Sequence, residues 1–144
     1  MDTNAVTRLR ESYTLIAPRA QELIDTFYDK LFAAAPAVRP LFPTDMRAQK
    51  GHLLAAVGLV VKHADNLNAL AEPLQQMGAR HVKYGAKPEH YPVVRDTMVA
   101  SIAQIAGKAW TPQLSGDWTA ALNAVAGFML KGAEQATSST RAAA

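Results

Sequence analysis

The chain of 144 residues is long enough for one domain with a hydrophobic core and too short for two ordinary domains. Its hydrophobic content of 49% and charged content of 19% are typical of a globular protein rather than a disordered one. The absence of cysteine excludes disulfides and thiolate-bound metal clusters, and the scattered net charge of +3 does not favour nucleic-acid binding.

The N-terminal sequence is polar and mixed, so it does not resemble a signal peptide. The longest apolar run, Leu53 to Val61, is far shorter than the roughly 20 residues that a membrane span needs. We therefore expect a cytoplasmic protein that works without a membrane or nucleic-acid partner, as a monomer or a weak homodimer.

The first third of the chain has the hydrophobic spacing of helices. Val6, Leu9, Tyr13 and Ile16 share one helical face, and Pro18 begins a second helix because proline is tolerated in a first turn. The apolar face of this second helix comprises Leu23, Ile24, Phe27, Tyr28, Leu31 and Phe32. The proline-rich stretch PAVRPLFP then predicts a short helical turn and a bend.

The remaining segments are also predicted to be helical. Asp45 is a plausible N-cap for a helix that runs to about Lys62, and the segment NLNAL links it to the helix that carries His81. A further helix is predicted from about Tyr91 to Gly107. Thr111 and Pro112 then form a cap and a first-turn proline, and they start a last helix that ends near Gln135.

No window of alternating apolar and polar residues is long enough to predict a sheet. The sequence therefore predicts an all-α protein with one domain of about seven to eight helices, spanning residues 1–136. The small and polar end of the chain, residues 137–144, is predicted to be a flexible tail.

Three polar residues stand among apolar neighbours on these helices. Gln49 begins an otherwise apolar stripe, Tyr28 follows Phe27 on a buried face, and His81 lies in the last turn of its helix. Spacing alone allows a structural interpretation of each: a solvated amide, a tyrosine bonded to a backbone carbonyl, and an exposed histidine. It also allows a metal site at His81.

Four segments, at residues 27–42, 49–61, 77–86 and 90–94, are distinctive. Together they resemble the globins, specifically the bacterial haemoglobins and the haem domain of flavohaemoglobins. FYDKLFAAAPAVRPLF, residues 27–42, is similar to the second helix of the family and the corner after it. QKGHLLAAVGLVV, residues 49–61, is similar to the distal helix. MGARHVKYGA, residues 77–86, matches the proximal pattern, and HYPVV, residues 90–94, matches the start of the next helix. Trp118 in the last helix also matches.

The resemblance implies a haem b group between the distal and proximal helices, with His81 as the proximal ligand of the iron. Tyr28 and Gln49 would form a polar distal pair over the bound gas. A carbonyl near Met77 is expected to accept the second ring N–H of His81. Further haem contacts are expected from Phe42, Leu53, Val57, Met77, Arg80, Tyr84, Ala86, Tyr91 and Val94. Arg80, Lys83 and Lys50 are the candidates for the haem propionates.

The sequence departs from the family in two ways. Some relatives pair the proximal histidine with a tyrosine and a glutamate, but here the glutamate position falls on Ala133. Glu134 comes one residue later, about 100° around the helix, and is expected to point elsewhere. No flavin or nicotinamide domain follows Gln135, so any redox turnover is expected to need a separate reductase. His52 is expected at the haem edge, with sixth-ligand binding as its minor alternative, and His63 and His90 are expected at the surface.

These features lead to three functional hypotheses. The first is a haem protein that binds dioxygen with high affinity for transport or scavenging, with dioxygen and other diatomic gases as its partners. The second is a nitric-oxide dioxygenase that uses a separate reductase. The third, a sensor or interaction module without haem, is disfavoured because His81, Phe42 and the distal pair are all present.

Overall fold

The computed structural model of the chain describes the backbone of residues 1–143 and the side chains of residues 1–138. Within this part the chain forms six α-helices and four short 3-10 helices, and no strand. The predicted all-α class is therefore confirmed, but the number of α-helices is below the predicted seven to eight. Several short segments wind into 3-10 turns, which are too tight to extend into longer helices.

The helices follow one another with short connections. The α-helices are α1 (Thr3–Ile16), α2 (Ala20–Ala34), α3 (Arg47–Lys62), α4 (Ala71–Lys83), α5 (His90–Ala106) and α6 (Pro112–Ala143). The 3-10 helices are Ala17–Arg19, Pro36–Leu41, Leu67–Leu70 and Gly107–Ala109.

Side-chain oxygens satisfy free backbone N–H groups at three helix starts. The Asp2 carboxylate accepts a hydrogen bond from the Ala5 amide at 2.7 Å, and the Thr111 hydroxyl accepts one from Leu114 at 3.1 Å. Asp45 accepts the Arg47 amide at 3.0 Å, although the N-cap is Met46, one residue beyond the predicted position. The two predicted caps, Asp45 and Thr111, thus have a direct physical cause, and Asp2 is a further cap that was not predicted.

Two predicted helix ends differ from the structure. The second α-helix begins at Ala20 rather than Pro18, because the proline lies inside the 3-10 turn that precedes it. The last helix continues to Ala143 instead of ending near Gln135, and the Thr137 hydroxyl donates to the Ala133 carbonyl within it. The predicted tail of residues 137–144 lies partly outside the described residues, and its flexibility stays a prediction.

The core forms where α1, α2, α5 and α6 meet. Its largest fully buried side chains are Trp118, Leu9, Ile16, Leu23, Ile24 and Ile102. The indole N–H of Trp118 donates to the Ser12 hydroxyl at 3.0 Å, and that hydroxyl donates to the Leu9 carbonyl at 2.7 Å. The buried polar groups beside the tryptophan are therefore satisfied, as burial requires.

Two glycines let α4 and α6 cross at very short range. A Cβ atom at Gly78 would collide with the backbone of Met129, and one at Gly132 would collide with the backbone of Gln75. Any larger residue at either position would push the helices apart. Because His81 is on α4, one turn beyond Gly78, this crossing sets where the histidine stands relative to the core.

None of the helices in the described part of the chain is both long enough and apolar enough to cross a membrane.

Candidate functional site

A cavity of about 330 Å³ opens between α2, α3 and the corner that joins them on one side, and α4 and α5 on the other. Its size lies within the range of about 300–1,000 Å³ that is usual for small-molecule sites. Its lining is mostly apolar, with a few polar side chains that face one another. The lining residues are Phe27, Tyr28, Leu31, Ala35, Val38, Leu41, Phe42, Pro43, Gln49, Leu53, His81, Tyr84, Ala86, His90, Val93 and Val94.

His81 is held on one wall of the cavity by a hydrogen bond within its own helix. Its ring Nδ1 lies 2.7 Å from the Met77 carbonyl oxygen, the acceptor position that the sequence predicts. A carbonyl oxygen only accepts hydrogen bonds, so Nδ1 carries the proton in the neutral ring. The Nε2 lone pair is then free, which is the arrangement that a metal-ligating histidine needs.

The backbone of His81 is fixed by the way α4 ends. The Ala86 amide donates to the His81 carbonyl at 3.0 Å, and the Gly85 amide donates to the Val82 carbonyl at 3.1 Å. This pair of bonds is a Schellman motif, and Gly85 adopts the positive φ of 92° that the motif requires. The Tyr-Gly pair in the proximal sequence pattern therefore has a structural role: it ends the helix one turn after His81.

Tyr28 and Gln49 face the same cavity from α2 and α3. The Gln49 side-chain amide donates to the Tyr28 hydroxyl oxygen, with 3.2 Å between nitrogen and oxygen. Tyr28 is only 3% exposed. Burial raises the pKa of its hydroxyl above the ordinary value, and the hydrogen bond from Gln49 offsets this only in part. The hydroxyl is therefore protonated at neutral pH and can donate.

The proton of the Tyr28 hydroxyl has no acceptor within the described part of the chain. Among the described side chains the hydroxyl accepts from Gln49, and it donates to no protein group. A phenol can accept and donate at the same time, so its proton is available to a molecule in the cavity. The cavity thus has a hydrogen-bond donor on one wall and an imidazole with a free lone pair on another.

Aromatic side chains fix the orientation of the Tyr28 ring. Its centroid lies 5.0 Å from that of Phe27 and 5.7 Å from those of Phe32 and Phe42, distances typical of aromatic pairs. The corner that carries Phe42 is held in turn by Arg39, whose guanidinium donates to the Pro43 carbonyl at 3.0 Å. The position of the tyrosine hydroxyl is therefore set by packing and does not depend on Gln49 alone.

The structure brings most of the predicted site residues together. The cavity lining includes the predicted residues Tyr28, Phe42, Gln49, Leu53, His81, Tyr84, Ala86 and Val94. Four other predicted contacts are outside this lining. Val57 is buried in the core, the Met77 side chain packs against the core, Arg80 is exposed, and the Tyr91 hydroxyl is buried.

Three further candidates are also placed away from the cavity or engaged elsewhere. His52 is exposed and does not contribute to the lining described here. Lys50 forms an ion pair with Asp25 on α2, so its charge is already partnered. Lys83 is exposed at the last turn of α4.

The proximal side has no carboxylate at the position of the missing glutamate. Ala133 is half-buried and Glu134 is exposed, which agrees with the rotation expected from their order on the helix. The Tyr91 hydroxyl is buried and, within the described residues, has no hydrogen-bond partner. Burial raises the pKa of Tyr91, so its hydroxyl is neutral.

Several lining residues were not predicted. Phe27 and Leu31 lie one turn apart on the predicted apolar face of α2, and Ala35 follows at the same spacing just after the helix, so apolar periodicity could also have placed them at the cavity. His90 was expected at the surface, but it is half-buried and lines the cavity. Its Nδ1 accepts the Lys87 amide at 3.0 Å, a local bond that the sequence does not reveal.

Comparisons with known proteins agree with this architecture. The family model described as Globin matches residues 25–129. A flavohemoprotein of Rhodopirellula baltica is 31% identical over 109 residues, which cover 74% of this chain and 27% of the relative. The chain spans about a third or less of the length of the curated relatives that it matches first.

Two solved structures share the fold. An engineered carbene transferase, a candidate nitric oxide dioxygenase from Rhodothermus marinus, has a TM-score of 0.87 at 22% identity and covers 98% of this chain and 99% of its own. A flavohemoglobin of Malassezia yamatoensis with bound FAD and heme has a TM-score of 0.77 at 20% identity, covering 93% of this chain and 37% of its own. At these identities the likeness shows the fold alone.

Proposed function

The chain belongs to the globin family, and from this premise we propose that it binds haem b in the cavity and uses it to bind dioxygen reversibly and with high affinity. One observation carries the proposal. A histidine with a free Nε2 lone pair and a tyrosine with a free hydroxyl proton face one apolar cavity.

The residues present fit a haem group. The lining is mostly apolar, as the faces of a porphyrin require, and His81 offers a neutral nitrogen ligand. Leu41, Tyr84 and Val94 line the cavity although they are 39%, 56% and 39% exposed, so a flat apolar group would cover their surface. Haem b, when bound, supplies an iron with an open position for a diatomic gas.

His81 is the proposed iron ligand, through Nε2. The Met77 carbonyl holds the ring proton at Nδ1, so the ligating tautomer exists before the iron arrives. The Schellman motif after α4 fixes the backbone of the same residue. His81 then needs little rearrangement when it binds the haem iron, and this lowers the entropic cost of haem binding.

Tyr28 and Gln49 are the proposed distal donors. A gas that gains partial negative charge on binding accepts a hydrogen bond more strongly than one that stays neutral. The pair therefore favours dioxygen over carbon monoxide. Tyr28 is the stronger contributor in this proposal, because its proton is free and its ring is fixed by three phenylalanines.

We also propose which residues contact the remainder of the haem. Phe42 and Leu53 would wall the distal side, and Tyr84, Ala86 and Val94 would contact the ring from below or at its edge; all five line the cavity. Val57, Met77 and Tyr91 would act from the layer behind this lining. Arg80, being exposed near His81, would meet a propionate.

A nitric-oxide dioxygenase is the second candidate function. It is supported by the flavohemoprotein relatives and by the candidate nitric oxide dioxygenase among the structural neighbours. Dioxygen and nitric oxide would combine to nitrate while the iron loses one electron. A flavin reductase, whether a separate protein or a linked domain, would return that electron. Mixing oxygen-loaded ferrous protein with nitric oxide should give one turnover to nitrate. If the nitric oxide is not consumed, the dioxygenase function is ruled out and oxygen binding is the one function that remains proposed.

Exchange of single histidines tests the proposal. His81→Ala should abolish normal haem binding or leave iron ligated only by water, because no other neutral nitrogen ligand is proposed. His52→Ala is the matched control, since His52 is exposed on the distal helix and should leave the ferrous spectrum unchanged. If His81→Ala bound haem normally and His52→Ala did not, the iron ligand would be on the distal helix, and the proposed proximal and distal sides would be wrong.

A further inference from the structure

An ion pair lies beside the distal pair and joins the same two helices. The Lys50 ammonium donates to the Asp25 carboxylate at 2.9 Å. Asp25 is three residues before Tyr28 on α2, and Lys50 directly follows Gln49 on α3. The two bridges between these helices, one ionic and one formed by Gln49 and Tyr28, are therefore adjacent.

The position of Lys50 needs a physical explanation. It lies in the first turn of α3, which has no acidic residue, and the other cation of that turn, Arg47, already pairs with Asp45 just before the helix. A positive charge at the N-terminus of a helix is unfavourable, because the helix dipole places partial positive charge there. The Asp25 carboxylate offsets this charge from the neighbouring helix, and Lys50 holds the pKa of Asp25 below its usual value.

The Asp25 carboxylate is well placed to pair with the Lys50 ammonium. The same carboxylate oxygen also accepts a hydrogen bond from the Gln21 side chain at 3.1 Å, one turn earlier on α2. This second bond helps to hold that oxygen in place beside Lys50. The ion pair is half-exposed, with side-chain exposures of 28% for Lys50 and 46% for Asp25, so salt can reach and screen it.

The hydrogen bond between Gln49 and Tyr28 depends on the position of the first turn of α3. Among the described side chains the Gln49 amide bonds only to the Tyr28 hydroxyl, and 3.2 Å is at the long end of the range for such a bond. A small displacement of this turn away from α2 would break the bond. Met46, the N-cap, makes no side-chain hydrogen bond, and the Asp45 carboxylate that accepts the Arg47 amide is local to this turn and does not connect it to α2.

The geometry points to Asp25 and Lys50 as positioning residues that hold the first turn of α3 against α2 and so keep Gln49 within reach of Tyr28 and of a gas in the cavity. This inference rests on the proposed function, because it concerns the same distal pair. Neither residue touches the gas. Their effect is on the rate at which dioxygen leaves.

Neutral variants of the pair test the inference in the haem-loaded full chain. Lys50→Met and Asp25→Asn should each accelerate dioxygen release about two- to five-fold, the range that a partly exposed ion pair supports. The double variant should be no faster than either single one, because both remove the same interaction. Lys50→Arg keeps the charge and should release dioxygen at the wild-type rate.

Two readouts separate positioning from general loss of stability. The carbon monoxide stretching frequency of the loaded protein reports donors near the gas, and it should rise in Lys50→Met as Gln49 withdraws. Adding salt should accelerate dioxygen release from the wild type and have no effect on Lys50→Met, because only the wild type has an ion pair to screen. Glu22→Gln, which removes an ion pair confined to the α2 end, is the control and should change neither readout.

The outcomes distinguish the two proposals. Wild-type rates and frequencies in Lys50→Met and Asp25→Asn, with faster release in Tyr28→Phe, would overturn the positioning role and leave the distal pair intact. Unchanged release in Tyr28→Phe as well would overturn both. An effect of Lys50→Met without one of Asp25→Asn would also overturn the inference, because the lysine would then act on something other than Asp25.

Discussion

Replacing Tyr28 by phenylalanine removes the hydroxyl of the proposed distal pair and almost nothing else. The ring is packed against Phe27, Phe32 and Phe42, with centroid distances of 5.0, 5.7 and 5.7 Å, so it should keep its place. The size and shape of the cavity should then be unchanged. Any effect on a bound gas can be attributed to the lost hydrogen bond.

The magnitude follows from the chemistry of the donor. A hydrogen bond to a charged partner contributes about 1.5–3 kcal/mol. Bound dioxygen is only partly charged, so the lower half of this range applies. Since about 1.4 kcal/mol corresponds to a factor of ten, Tyr28→Phe should accelerate dioxygen release roughly ten-fold or more. Association should change little, because the path into the cavity is the same.

Stopped-flow release of dioxygen and carbon monoxide, measured on the same preparations, checks this prediction. Carbon monoxide is less polar when bound and should leave at nearly the same rate in wild type and Tyr28→Phe. Gln49→Leu should act in the same direction on dioxygen, without adding fully to the first change, because the two donors share one ligand. Tyr13→Phe, the same deletion on α1, is the control.

Two results would refute the reasoning. Equal acceleration of both gases would mean that Tyr28 acts as a steric gate rather than as a hydrogen-bond donor. No acceleration of dioxygen release would mean that its hydroxyl does not reach the gas. Either result would remove the distal donor from the proposed function.

Three further predictions concern the stability of the fold. Gly132→Ala should lower the free energy of unfolding by about 1–3 kcal/mol in urea titrations, because its Cβ meets the Gln75 backbone, whereas Gly127→Ala, with open space around it, should raise it by up to about 1 kcal/mol. Trp118→Phe should cost about 2–3 kcal/mol in the same assay, because it leaves a cavity and removes the hydrogen bond that the buried Ser12 hydroxyl accepts, while the bond from that hydroxyl to Leu9 remains. Burial raises the pKa of Tyr28 in the folded protein above its value of about 10 in the unfolded chain. The neutral hydroxyl therefore contributes its full stabilisation below about pH 10, and this stabilisation is lost as the pH rises through the pKa of the folded state. Tyr28→Phe should therefore lose less stability than wild type between about pH 9 and 11.

Much of the fold was predictable because helical signals are local. Thr111 followed by Pro112 gives the start of α6 directly, since the threonine hydroxyl accepts an amide of the first turn and the proline ring fixes its own backbone. The helix count was not predictable, because the choice between an α-helix and a short 3-10 turn at Pro18 depends on how neighbouring helices pack. The far end of α6 was missed because no glycine or proline follows Gln135, and because the Thr137 hydroxyl satisfies itself within the helix.

Some residues of the candidate site were also predictable from the sequence, and others were not. Tyr28, Gln49 and His81 were found because a motif match adds tertiary information that spacing lacks. The ion pair of Lys50 with Asp25 was not predicted, because Asp25 is distant in sequence and nothing local indicates the pairing. Close helix approach is similar: the sequence shows the glycines of α4 and α6, but only the packed structure shows which backbone each one meets.

The most direct test of the central claim is the absorption spectrum of the purified protein in its ferric, ferrous and oxygenated states. We predict one haem b per chain, a ferrous form with His81 as its protein ligand and an open sixth position, and an oxygenated form that persists while Tyr28 and Gln49 are intact. A protein that purifies without haem and takes none up, or whose ferrous iron holds two protein ligands and no dioxygen, would contradict this claim.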